Sequence, residues 1–303
     1  MKTARQLLVL TLAVVATPVL AGTLKCPPDS VKVGNVCIDL YEASAWQIAP
    51  SNTALVSKVQ AGTVTLADLT GGGATQLSPS HADSPLLTCS PPYPANFPSD
   101  GNWTPVLGSR PPSPGVYAVS IPDVHPAACI TWFQANQACL LSGKRLLTNR
   151  EWQGAAAGTP DPGTDNGTSD CNISDVGDAV NTGSRSNCKS SWGVFDMVGN
   201  VDEWVADWAD GAVNCTDWTS QTGIAGGDLS CFGGPGTTGN GSETSNTSSI
   251  PGALIRGGDF EDGTHAGVFE VAVGIPGVSN YIIGFRPASR PRALGVRAEE
   301  TCE

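Results

Sequence analysis

Positive charge is scarce in this 303-residue chain, where 16 lysines and arginines face 28 aspartates and glutamates, for a formal net charge of −12. A surface that tracks a phosphate backbone needs clustered cations, so no nucleic-acid partner is expected. Histidine is rarer still, and His81, His125 and His265 stand apart from each other and from any cysteine pair. No C-x-x-C spacing occurs, so the ligand pattern of a zinc site is missing. Beyond the N-terminal segment no stretch approaches the ~18 apolar residues that cross a bilayer, and no membrane span is expected. The composition is nevertheless that of a folded chain, with 40% hydrophobic and 15% charged residues. Its 36 glycines and 23 prolines leave room only for short elements joined by long connections.

The N-terminus and the cysteines point to one compartment. Lys2 and Arg5 precede the apolar run 7–16, and Val19-Leu20-Ala21 precedes Gly22. This is the order of a cleavable secretory signal, expected over residues 1–21, with 22–303 as a single domain. No cysteine follows the expected cleavage point to carry a lipid anchor, so the location is secreted, periplasmic or cell-surface. Ten cysteines in an exported chain read as structural disulfides. Local spacing suggests Cys26 with Cys37, Cys129 with Cys139, Cys171 with Cys188 and Cys215 with Cys231. Cys89 and Cys302 remain for a long-range closure, and other pairings stay open.

Val31, Val33, Val36, Ile38 and Leu40 predict strand structure around a Gly34-Asn35 turn. Residues 62–66 read as a further strand, ahead of the glycine run 71–73. The proline-rich stretch 85–115 excludes regular helix and central strand, yet its Tyr93, Phe97 and Trp103 suit a loop anchored on the surface. Residues 131–141 predict a helix stopped by Gly143, with Trp132, Ala135, Ala138, Cys139 and Ser142 facing inward. Thr148-x-x-Glu151 is a capping box that opens a second short helix, ended by Gly158 and Pro160. Residues 233–249 are a polar, low-complexity insertion. Farther on, Phe269, Val271, Val273 and Ile275 alternate with Glu270, Ala272 and Gly274, predicting a strand with the first set buried except Ile275, which a bend near Gly274 or Pro276 must expose. A final strand is expected over 282–286. Two short helices among many strands, without β-α-β alternation, make the fold class α+β.

Several segments together resemble a known family. Ile130-Thr131-Trp132, the stretch Gly143-Lys144-Arg145-Leu146-Leu147-Thr148-Asn149-Arg150-Glu151-Trp152, the stretch Gly199-Asn200-Val201-Asp202-Glu203-Trp204, Arg256-Gly257-Gly258 and Gly284-Phe285-Arg286 resemble, in order, the formylglycine-generating-enzyme (sulfatase-modifying factor) domain. The resemblance implies an elaborated C-type-lectin fold, with small twisted antiparallel sheets, two helices and long disulfide-stapled loops. Trp132, Trp152, Trp192, Trp204 and Trp208 suit it as large anchors. It also implies calcium as a structural cofactor held by Asn200 and Glu203, and Asn172-Ile173 resembles part of a second calcium site whose acidic partner the sequence does not identify.

One departure outweighs these matches. Formylglycine-generating enzymes hold copper with a cysteine pair between their Arg-Gly-Gly and Gly-Phe-Arg signatures, and this chain has no cysteine between Arg256 and Arg286. Thiolates are what bind a soft cuprous ion, so no copper and no formylglycine generation are expected. The same segment resembles the variable region of diversity-generating-retroelement proteins, which display altered side chains to bind ligands. That resemblance makes Gly257, Gly258, Gly267, Phe269, Val271, Val273, Gly284 and Phe285 scaffold. It makes Phe260, Glu261, Asp262, His265, Glu270, Ala272, Gly274, Ile275, Val278, Asn280, Tyr281 and Ile282 the ligand-binding positions. The expected function is noncatalytic recognition, by an exported protein, of an unknown protein or cell-surface ligand. The alternatives are an enzyme of the same superfamily acting on a secreted or periplasmic substrate, and a surface protein without a dedicated ligand.

Overall fold

A computed structural model describes residues 25–77, 114–161, 165–174, 177–209, 252–277 and 279–291. The expected signal segment, the insertion 233–249, most of the stretch 85–115 and Cys89, Cys215, Cys231 and Cys302 lie outside them.

The expected N-terminal strands form a hairpin, β1 (Ser30–Val33) and β2 (Val36–Asp39), which turns at Gly34 with φ +59°. The strand expected at 62–66 does not form. Its first residue is the left-handed cap (φ +67°) of a helix, α1 (Thr53–Ala61), and its last opens another, α2 (Leu66–Gly71). Thr65 and Asp68 close a reciprocal capping box, and these side chain–backbone bonds outweigh the β-propensity of the run Thr63-Val64-Thr65. The two helices expected from sequence are α3 (Trp132–Leu141), capped by Thr131, and α4 (Asn149–Ala155), capped by Thr148 with its box to Glu151. The described residues therefore hold four α-helices, not the two expected.

Three small sheets organise the chain. β3 (Ser44–Ile48) is the middle strand between β4 (Thr75–Leu77) and β5 (Gly115–Val119). The N-terminal hairpin continues through β11 (Pro287–Ser289) to β6 (Arg145–Leu146), so the far end of the described chain closes on its beginning. The third sheet runs β10-β7-β8-β9, from Ile283–Phe285, Asp202–Ala209, Gly252–Gly257 and Gly267–Gly274. Its pairs are antiparallel except β10 with β7.

Both faces of that third sheet are covered. Trp204, Ile255 and Ala253 pack with Ala135, Ala138 and Cys139 of α3 on one side, whereas Val205 and Leu254 pack with Trp152 and Ala155 of α4 on the other. Trp204 is 1% exposed and donates its indole N–H to Ile130 O at 2.9 Å, so the ring fills the core without leaving a polar atom unsatisfied. Trp192 and Trp208, expected as buried anchors, are instead 44% and 39% exposed.

Cys26–Cys37 and Cys171–Cys188 pair as expected. Cys129–Cys139 does not form, because Cys139 is a free thiol buried against Ala135 and Ala138, while Cys129 is disulfide-bonded elsewhere. The two flank most of α3, whose rise alone separates them by roughly 10 Å, beyond the ~7 Å Cα span that a disulfide bridges.

Truncating Trp204 to alanine should remove about 3–5 kcal/mol of folding stability. Urea unfolding of the purified variant checks this, and a loss below about 1 kcal/mol would mean that the indole is not the keystone of its cluster.

Candidate functional site

The segment from Arg256 to Arg286 is held from beneath by its two arginines. Arg256 is 2% exposed, stacks over the Trp152 ring at 4.2 Å, and donates to Glu270 O (2.6 Å) and Val268 O (2.8 Å) as well as to the Asn149 and Gln153 side chains. Arg286 is fully buried and donates Nε and Nη2 to Glu203 Oε1 at 2.9 and 2.6 Å, with further bonds to the carbonyls of Asp39 and Phe195. Between them the backbone turns at Gly257 and Gly258, with φ +98° and +75°. A Cβ on Gly258 would sit 2.6 Å from the Ala266 backbone, so only glycine allows the turn to close.

Beyond that turn the chain presents an acidic rim. Asp262 Oδ2 accepts the Asp259 N–H at 3.0 Å and Asp259 Oδ1 accepts the Glu261 N–H at 2.5 Å, a self-capped loop that leads into a single 3-10 turn, Gly263–His265. Carboxylate oxygens of Asp202, Asp259 and Asp262 lie within 4.8 Å of one another. The Tyr281 hydroxyl donates to Glu261 Oε2 at 2.9 Å. Partial burial, together with this bond and the nearby carboxylates, pushes Tyr281 up to about 12, so it stays a neutral donor. The following loop is fixed to the N-terminal end of α3, where Trp132 N–H donates to Pro276 O at 3.1 Å and Cys129 N–H to Asn280 O at 2.8 Å.

The sequence-derived positions divide on this framework. Glu261 and Ile275 are exposed, whereas Asp262, His265, Asn280, Tyr281 and Ile282 are half-exposed. Val278 lies outside the described residues. Phe260, expected on the surface, is 1% exposed and packs with Ala179, Val201 and Tyr281, so it supports the rim and is not part of it. The alternation expected along β9 is overturned, because Phe269 is 54% exposed while Glu270 and Val271 are both buried. A register shift between Arg256 and Gly257 breaks the period there, and Arg256 grips the Val268 and Glu270 carbonyls. Ala272 and Gly274, also expected to point outward, lie against the Trp204 and Ile255 cluster. The reason is that α3 and α4 pack on opposite faces of the sheet, so along the covered part of β9 alternation does not mark a solvent face.

The calcium ligands implied by resemblance do not fit an ion here. Both Glu203 oxygens are engaged, Oε1 by Arg286 and Oε2 by the Trp152 indole N–H at 2.7 Å. Asn200 Oδ1 accepts from Val180 N–H (2.8 Å) and Asn172 Nδ2 (3.1 Å), and its Nδ2 donates to Glu42 Oε2 at 2.6 Å. Donors that belong to the protein already fill these oxygens. Sequence reasoning did not find Glu42, which caps the Asn200-Val201 turn from far away in the chain.

Glu42, Asp196 and Glu203 crowd around the single Arg286 guanidinium. Burial raises all three carboxyls, Asp196 to about 7, and it brings Asp39 to about 7 as well. The folded chain therefore keeps protons that the unfolded chain, with Asp near 3.9, has released. The contribution of Asp196 and Asp39 to folding stability should be greatest below about pH 4, fall as pH rises toward about 7, and level off above it. Asp196→Asn, which keeps an acceptor for the Gly183 N–H and tolerates the φ of +56°, should make that fall shallower, as read from urea midpoints at pH 5 and pH 7.5. Equal slopes in both proteins would count against Asp196 as a proton-holding site.

With this geometry in view, the family described as sulfatase-modifying factor enzyme 1-like domain matches residues 78–290. A curated relative, the formylglycine-generating enzyme of Thermomonospora curvata, is 32% identical over 127 residues, which are 35% of this chain and 42% of that protein. The match thus spans about two fifths of the length of that relative. Among solved structures, the Major Tropism Determinant I1 variant aligns over 90% of this chain and 55% of its own, at 18% identity and a TM-score of 0.43. Treponema denticola variable protein 1 aligns over 65% of this chain and 78% of its own, at 21% identity and a TM-score of 0.32.

Proposed function

We propose, for a chain that belongs to the sulfatase-modifying factor enzyme 1-like domain family, that it is an exported, noncatalytic protein that binds a ligand through the rim formed by Glu261, Asp262, His265, Asn280, Tyr281 and Ile282, with Ile275 at its edge. The observation that carries this reading is the combination within one segment. Arg256 and Arg286 hold its two ends rigidly, mixed polar and aromatic side chains reach solvent between them, and no cysteine lies there to hold copper. A preordered surface loses little conformational entropy on binding, so a few aromatic and charged contacts suffice for affinity. The carboxylate of Asp262, close to those of Asp259 and Asp202, and the exposed Glu261 next to it in the chain favour a partner that brings positive charge. Disulfides and the secretory character of the N-terminal residues support an extracellular or periplasmic setting.

The test is binding to intact cells and to arrayed cell-surface proteins, with the triple variant Glu261→Ala, His265→Ala, Tyr281→Ala as control. Binding should fall at least tenfold, equivalent to about 1.4 kcal/mol, while circular dichroism and a cooperative melt show that the variant remains folded. A triple variant that binds as well as the parent would rule this rim out. A copy of the coding sequence for residues 256–286 beside a reverse-transcriptase gene would add support for variable display.

The relative named as a formylglycine-generating enzyme favours a second reading, an oxidase or related enzyme of the superfamily. Copper or iron present at one equivalent per chain in purified protein, together with conversion of a cysteine-containing sulfatase-type peptide, would establish it. Metal-free, inactive protein is the outcome expected from the first reading.

A further inference from the structure

The loops between α4 and β7 wrap around a buried cation that belongs to the chain itself. Arg185 lies within the loop that Cys171–Cys188 closes, and its side chain is 2% exposed. Its Nη2 is 3.5 Å from Asn172 Oδ1, and its Nη1 is 3.7 Å from Asp165 Oδ1, on a side chain 1% exposed. Nη1 is buried with no hydrogen-bond partner.

The oxygens that face it are held in place independently. Asp165 accepts the N–H groups of Gly167 and Ile173 at 2.9 Å and of Ser174 at 3.0 Å. Asn172 donates its side-chain amide to Asp178 O and Asn200 Oδ1, which leaves its Oδ1 turned toward the guanidinium. A carboxylate and an amide oxygen thus converge on one point, each fixed by other bonds. Oxygen donors of this kind suit a hard cation. A guanidinium fitted to a carboxylate makes paired bonds near ~2.8 Å. The looser distances here mean that the pocket supplies charge neutralisation without the shape of an arginine fork. This is also the loop whose Asn172-Ile173 pair resembles half of a calcium site, and Asp165 brings a carboxylate to it by accepting the Ile173 N–H.

We propose that Arg185 is a tethered replacement for calcium, with its guanidinium occupying the position of a divalent ion between Asp165 and Asn172. The proposal does not depend on what the rim at 261–282 binds. A covalently attached cation cannot be lost to dilution or chelation, so the loop stays ordered at any calcium concentration.

Melting temperatures of the full chain in EDTA, in calcium chloride and in magnesium chloride test this, with the wild type expected to be the same in all three. Arg185→Gln should melt roughly 10 °C lower in EDTA, because a buried carboxylate is left without a counterion, and millimolar calcium should restore at least half of the loss. Arg185→Lys should remain indifferent to calcium. If Arg185→Gln does not fold, the double variant Asp165→Asn, Arg185→Gln, with both charges removed, should fold and be indifferent to calcium. A wild type that EDTA destabilises, an Arg185→Gln that calcium fails to raise, or a double variant that responds to calcium would each overturn the proposal.

Discussion

The buried pair of Glu203 and Arg286 is the constraint on which the rest of the structure depends. Glu203 stands at the start of β7 and Arg286 immediately after β10, and the two strands run parallel with Gly284 opposite Glu203. Parallel neighbours need a long crossover, and here that crossover carries β8, β9 and the whole candidate face. The ion pair locks the return of the chain. Through Trp152 and the carbonyls of Asp39 and Phe195, it also ties α4 and the N-terminal hairpin to the same point. Removing the Arg286 charge would leave Glu203 buried beside Glu42 and Asp196 without their shared cation, a penalty larger than the pair's own attraction.

A second polar chain runs outward from this centre. Glu42 holds Asn200, Asn200 holds Asn172, and Asn172 faces Arg185 and through it Asp165. Long loops cannot satisfy their backbone groups with ladders, so buried side chains serve that purpose. The left-handed φ of Asn200 (+67°) and Asp196 (+56°) is the local strain this network sustains. With the loops frozen in this way, a chain rich in glycine and proline can still present a fixed surface.

The surface itself is what remains after packing. Because both faces of the third sheet are covered, side chains reach water only at its ends and in the loops beyond. Phe269, Ile275, Trp208 near the end of β7 and the acidic rim from Glu261 to Tyr281 are therefore among the exposed features, and Glu270 and Val271 within β9 are not. Between Arg256 and Arg286 the chain offers carboxylates, an imidazole and a phenol, and no thiolate to hold a soft cuprous ion.

Much of this was legible in the linear sequence wherever the cause is local. The capping boxes at Thr131 and Thr148, the Gly34 turn, the left-handed Gly143 and the short disulfides Cys26–Cys37 and Cys171–Cys188 each depend on residues close in the chain. The ordered motifs also identified the family, because spacing survives in one dimension. The tertiary structure alone decided which of Phe269 and Glu270 is buried, that Phe260 faces inward, and that Cys139 is out of reach of Cys129. It also decided that the oxygens of Asn200 and Glu203 meet protein donors where an ion was expected. Each of these turns on partners brought together from distant segments, a second layer over a sheet or a guanidinium from far along the chain, and periodicity in a sequence carries no record of them.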